Sequence, residues 1–118
     1  MATKEEIAVW LVERIRANGR RSSYQSTIVK EIRSQFGEEW SYKNHNGNWA
    51  IDAATLRYFR TIKPANILWD RSDQSWNYLN DEELADHLRR EAERAERIAA
   101  RDAERAARRA ADLENDGL

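Results

Sequence analysis

Hydrophobic positions in the first 79 residues alternate between two rhythms. Ile7, Trp10, Leu11 and Ile15 recur at helical spacing, which predicts a first helix over Thr3 to Asn18. Thr3 with Glu6 has capping-box spacing, and Gly19 is placed to end that helix in the left-handed conformation. After the polar break Arg20 to Ser23, with Ser22 or Ser23 as the expected cap, Tyr24, Ile28, Ile32 and Phe36 recur every four residues beside Val29. This predicts a second helix closed by Gly37. The rhythm then shortens to two. Trp40 and Tyr42, then Trp49 and Ile51, flank "KNHNGN", the pattern of a short hairpin on an Asn-Gly turn. Asp52 is the expected cap of a third helix, Ala53 to Ile62, with Leu56, Phe59 and Ile62 inward and Pro64 ending it. Ile67 and Trp69, then Trp76 and Tyr78, flank the polar turn "DRSDQS" and predict a second hairpin.

From Asp81 the pattern changes. The segment to Asn115 holds no Gly, Pro or aromatic residue and is rich in Ala, Arg and Glu, the strong helix formers. Leu84, Leu88, Ala92, Ala95, Ala99, Ala103, Ala106, Ala110 and Leu113 form a stripe whose steps average about 3.6, so it runs nearly straight. Glu93 with Arg97 and Glu104 with Arg108 are spaced for ion pairs. Two readings stand: a solvated charged helix that frays toward "ENDGL", or a helix that pairs with itself or a partner. The chain thus divides into residues 1–79 and a charged tail, 80–118.

The expected fold class is α+β and mainly helical: a winged helix-turn-helix with a two-stranded wing, followed by a long charged helix. Helices 2 and 3 form the helix-turn-helix and "DRSDQS" tips the wing. The departure from that plan is the long connector, Glu38 to Ile51. The stretches "FGEEWSYKNHNGNWAID", "LRYF" and "LWDRSDQSW" resemble a family of small, largely uncharacterised bacterial and phage proteins. The matching residues are Phe36, Gly37, Glu39, Trp40, Tyr42, Asn44, Asn46, Gly47, Asn48, Ala50, Ile51, Trp69, Arg71 and Trp76. The resemblance spans roughly residues 3–79 and implies a winged-helix-like fold. It implies no activity.

Charge sharpens the division. Residues 1–79 carry 12 basic and 9 acidic side chains, and residues 80–118 carry 8 and 12. A mildly basic front permits a nucleic-acid surface, and an acidic tail competes with phosphate for it. The chain has no Cys, which excludes disulfides and thiolate metal sites. No apolar run reaches the ~18 residues that span a bilayer, so a cytoplasmic protein with no membrane partner is expected. The five Trp all fall within residues 10–76, where core packing is the expectation for them.

Catalytic chemistry finds no frame. His45 in "KNHNGN" sits on a hairpin followed by a helix, as in the His-Asn-His nucleases, but helix 3 offers no second His and His87 lies far along the tail. An exposed His in a polar turn is the expected reading. Asp70 and Asp73 flank Arg71 without a third oxygen ligand, so a turn-forming role is expected and no metal or cofactor. The basic residues carry the functional expectation. Arg57 and Arg60 lie off the inward face of helix 3, Lys63 follows, Arg71 sits in the wing, and Arg20, Arg21 and Lys43 lie in turns. On a winged helix these suit duplex DNA, with helix 3 in the major groove. The expected function is a non-enzymatic DNA-binding module, a small regulator, dimeric through the C-terminal helix. The alternative is a protein-interaction module of phage or mobile-element origin that docks a host or partner protein.

Overall fold

Thr3 starts the first helix as its spacing demands. In a computed structural model that describes residues 1–116, its Oγ accepts a hydrogen bond from the Glu6 amide at 3.2 Å, and α1 runs Lys4–Ala17. The chain then follows the order β1 (Ser23–Tyr24), α2 (Gln25–Gln35), a 3-10 turn (Glu38–Trp40), β2 (Ser41–Lys43), β3 (Trp49–Ile51), α3 (Ala53–Ile62), β4 (Ile67–Asp70), β5 (Ser75–Tyr78) and α4 (Asp81–Asp116). Among the described residues it is an α+β chain with four α-helices, the last of them long and C-terminal, and two small antiparallel sheets. It divides into two compact units, Met1–Asp81 and Glu82–Leu118.

The front unit closes over one core. Ile7, Leu11 and Ile15 of α1, Ile28 and Ile32 of α2, Ile51, Phe59, Ile67 and Trp76 are all buried. α1 packs mainly on α3, which is why its inward residues recur at helical spacing. Asp52 starts α3: its Oδ2 accepts from the Thr55 amide at 3.0 Å and from the Thr55 hydroxyl at 2.9 Å. Thr55 is fully buried, so that carboxylate also satisfies a hydroxyl cut off from water. Asp52→Ala is expected to lower stability by about 1 kcal/mol, with Asp52→Asn restoring most of it. A urea titration followed by Trp fluorescence checks this. At the other end Lys63 turns to extended backbone before Pro64, as expected.

The first difference from the sequence reading is β1. Ser23 does not cap α2, and no side chain does. Ser23 and Tyr24 instead extend and pair with Trp76 and Ser75, so the wing hairpin becomes a three-stranded sheet in the order β1-β5-β4. The serines serve that geometry. Ser22 Oγ bonds Asn77 Oδ1 at 3.0 Å, and Asn18 Nδ2 donates to Ser23 Oγ at 3.1 Å.

The second difference lies in the aromatics. Trp76 is buried, and Trp10 and Trp40 pack half-buried against the core. Trp49 and Trp69 are exposed, contrary to the expectation of core packing for the Trp residues, and so are Tyr24 and Tyr42. Tyr24 and Trp49 lie at the ends of strands of two and three residues, which reach past the core, so those two rings remain in solvent.

In the second unit α4 is one continuous helix, and every side chain from residue 88 to 114 is exposed. Glu104 pairs with Arg108 at 2.8 Å as expected. Glu93 pairs with Arg89 at 4.0 Å instead of with Arg97. The expected fraying at "ENDGL" falls partly on residues 117–118, which lie outside the described residues. No helix is long and apolar enough to cross a membrane among the described residues.

Candidate nucleic-acid interface

Helix α3 buries one face and leaves the other bare. Thr55 and Phe59 point into the core, while Ala53, Ala54, Arg57, Arg60 and Thr61 are exposed and share one side of the helix. The hairpin β2–β3, inserted just before α3, packs along α2. Small residues lead this face and two guanidiniums follow. Neither Arg57 nor Arg60 makes an ion pair among the described residues.

The other basic residues differ in their commitments. Lys63 is half-buried and its ammonium donates to the Ile67 carbonyl at 3.2 Å, which fastens the end of α3 to the start of β4. Arg60 and Lys63 line a common cleft of about 270 Å³ with Gln25, Trp69 and Trp76. Trp69, 40% exposed, forms the outer wall of this cleft and leans on Trp76 with centroids 4.7 Å apart. Arg71 is exposed in the turn between β4 and β5. That turn is held by Asp70, whose Oδ1 accepts from the Ser72 hydroxyl at 2.7 Å and from the Ser72 and Asp73 amides at 3.0 and 3.2 Å. These bonds favour the ionised form and hold the Asp70 carboxyl below its ordinary pKa, the Ser72 hydroxyl contributing most. Asp70 is thus a turn residue, as expected. Arg20 and Arg21 are exposed in the loop before β1.

Lys43 belongs to a separate cluster. Its ammonium lies 5.3 Å from the Trp49 ring, and the Arg33 guanidinium lies 3.6 Å from the same ring. Arg33 also reaches Glu38 at 3.4 Å. Sequence reasoning passed over Arg33, which sits beside Ile32 on α2 and meets Trp49 only through the fold. Lys30, Tyr24 and Trp49 face a second groove of about 450 Å³ with Asn44 and Asn48. The turn itself is built on Asn44, whose Oδ1 accepts from the Asn46 and Asn48 amides, both at 3.0 Å. His45 is exposed at its tip. Among the described residues no three His, Asp or Glu side chains converge as a metal site.

A family model covers almost all of the front unit, matching residues 3–78. The chain belongs to DUF6953, a family of unknown function. The sequence resemblance to an uncharacterised family is met at that level. Neither the curated proteins nor the solved structures yield a match to the chain. The DUF6953 region ends at residue 78, before α4 begins at Asp81, so the exposed face of α3, the wing turn and the Trp49 cluster all lie inside it.

Proposed function

We propose that the DUF6953 unit is a winged helix that binds duplex DNA in the cytoplasm without catalysing a reaction. The observation that carries this reading is the bare face of α3: two alanines, Arg57, Arg60 and Thr61, all exposed among the described residues. The β1-β5-β4 sheet order supports it, because a first strand between α1 and α2 that pairs beside a terminal hairpin suits a wing. In this reading α3 enters the major groove and Arg71 touches the backbone from the wing turn. Arg57 and Arg60 read guanine edges or hold phosphates. Arg20, Arg21 and Lys43 add phosphate contacts, and Lys63 contributes charge while it fastens β4.

The test is fluorescence anisotropy of a labelled random-sequence duplex with the full chain, at about 50 mM salt and upward to about 200 mM. Affinity should fall linearly on logarithmic axes as salt rises. Arg57→Ala with Arg60→Ala should flatten that slope by about 2, one unit for each lost phosphate contact. No binding at micromolar protein, by the full chain and by a version ending at residue 81, would remove DNA from the function.

The second reading, a module that docks a host or partner protein, is favoured by the exposed rings around the hairpin. Tyr24, Tyr42 and Trp49 are apolar surface beside the Arg33–Trp49 contact, and aromatic rings anchor protein interfaces. Trp49→Ala separates the two readings: it leaves DNA affinity unchanged if α3 is the binding surface.

A further inference from the structure

Charge along α4 is sorted into blocks. Residues 81–93 hold six acidic and two basic side chains. Residues 94–109 hold six Arg against three acids. Within the acidic block the cations are already used: Arg89 and Arg90 both pair with Asp86, and His87 meets Glu91 at 3.0 Å. Within the basic block Arg94, Arg97, Arg101, Arg105 and Arg109 make no ion pair among the described residues. One length of this helix therefore presents surplus negative charge and the next presents guanidiniums without carboxylates.

The apolar face is sorted in the same way. Leu84, Leu88 and Ile98 are its large residues in this region, with Leu88 52% and Ile98 49% exposed. Beyond them the face is alanine until Leu113, which is 73% exposed.

We infer that α4 pairs with α4 of a second copy of this chain, antiparallel and centred near Ala95. In that register residue i lies opposite residue 190 − i. Leu84 comes opposite Ala106, Leu88 beside Ala103, and Ile98 opposite Ala92, so each of these three side chains meets a methyl group and the helices approach closely, while Leu113 lies beyond the paired stretch. The acidic stretch 81–93 comes opposite 97–109, which holds five Arg and two acids. The opposed flanks attract in both halves of the pair. A parallel, in-register pair would set acidic block on acidic block and basic on basic, and like charges at such flanks select against it. At 1.5 Å rise per residue the two Asp81 residues stand about 42 Å apart along the axis. This pairing does not depend on what the DUF6953 unit binds.

The chain lacks Cys, so introduced thiols report the register without background. In the full chain, Ala95→Cys should give a disulfide-linked dimer under mild oxidation. Leu84→Cys mixed with a mass-tagged Ala106→Cys should give the mixed dimer, while Leu84→Cys alone stays uncrosslinked. Light scattering should show twice the 13.9 kDa chain mass at high concentration. Reversing Arg101, Arg105 and Arg109 to Glu should weaken the dimer at least about tenfold while circular dichroism keeps the helix, since Glu and Arg have similar helix propensity. Crosslinking of Leu84→Cys to itself as fast as Ala95→Cys would mean parallel pairing and overturn the proposal. A monomer mass up to about 100 µM would overturn it as well, since nanomolar to micromolar dimers are populated there.

Discussion

Trp76→Ala is expected to destabilise the front unit by about 3–5 kcal/mol, the cost of emptying a buried aromatic site. Trp76 is 4% exposed and lies on β5, the central strand, with Ser23 paired on one side and Trp69 on the other. Its ring meets Phe59 of α3 edge-on at 5.7 Å and Trp69 of β4 at 4.7 Å. One side chain thus joins the sheet, α3 and the cleft wall that Arg60 and Lys63 share. An 81-residue unit has about 4–12 kcal/mol of stability in total, so the loss leaves it near the edge of folding. The urea midpoint should fall by at least about 1 M. Trp fluorescence is the right probe, because all five Trp lie within residues 10–76 and the long helix α4 contributes no signal. Trp76→Phe keeps a ring against Phe59 and should lose roughly half as much. An unchanged midpoint in Trp76→Ala would mean that the core does not depend on β5.

The elements that the sequence showed clearly are those whose pattern repeats. α1 and α3 carry three or more inward residues at helical spacing, and Thr3, Asp52 and Pro64 mark ends through local bonds and sterics. The hairpins were legible from their turns, where Asn44 and Asp70 bond amides within four residues. What escaped is what has no period. β1 is two residues long, too short for alternation, and only its pairing with β5 identifies it. The outward placement of Tyr42, Trp49 and Trp69 escaped because alternation assigns a face and says nothing of where the core ends. For the candidate site the same line holds. Arg57 and Arg60 follow from helix periodicity, and the structure leaves both exposed. The Arg33–Trp49 contact joins residues 16 positions apart on different elements, and no local rule places them together.

Gly37→Ala should cost about 1–3 kcal/mol, because the backbone there has φ +118° and ψ 160°, a region open essentially to glycine alone. A Cβ at this position would meet the Glu39 carboxylate, but that group ends an exposed, flexible side chain and can swing away. The cost therefore lies in the backbone. Gly37 turns the chain from α2 into the 3-10 turn, and from there the path is fixed: Ser41 Oγ donates to the Glu38 carbonyl at 2.9 Å and the Asp52 amide to the Trp40 carbonyl at 2.9 Å. If alanine forces φ negative, that turn must shift, and Trp49 with it, away from Arg33. Gly47 is the control. It has φ +80° and open space around its Cβ position, a conformation Asn accepts, so Gly47→Asn should cost only a few tenths of a kcal/mol. Urea midpoints of the two variants give the comparison. Equal, small losses would show that the α2-to-hairpin turn relaxes freely. A large loss at Gly37 alone would make this turn the point that aligns the inserted hairpin against α2, and so the reason the insertion leaves the outer face of α3 clear.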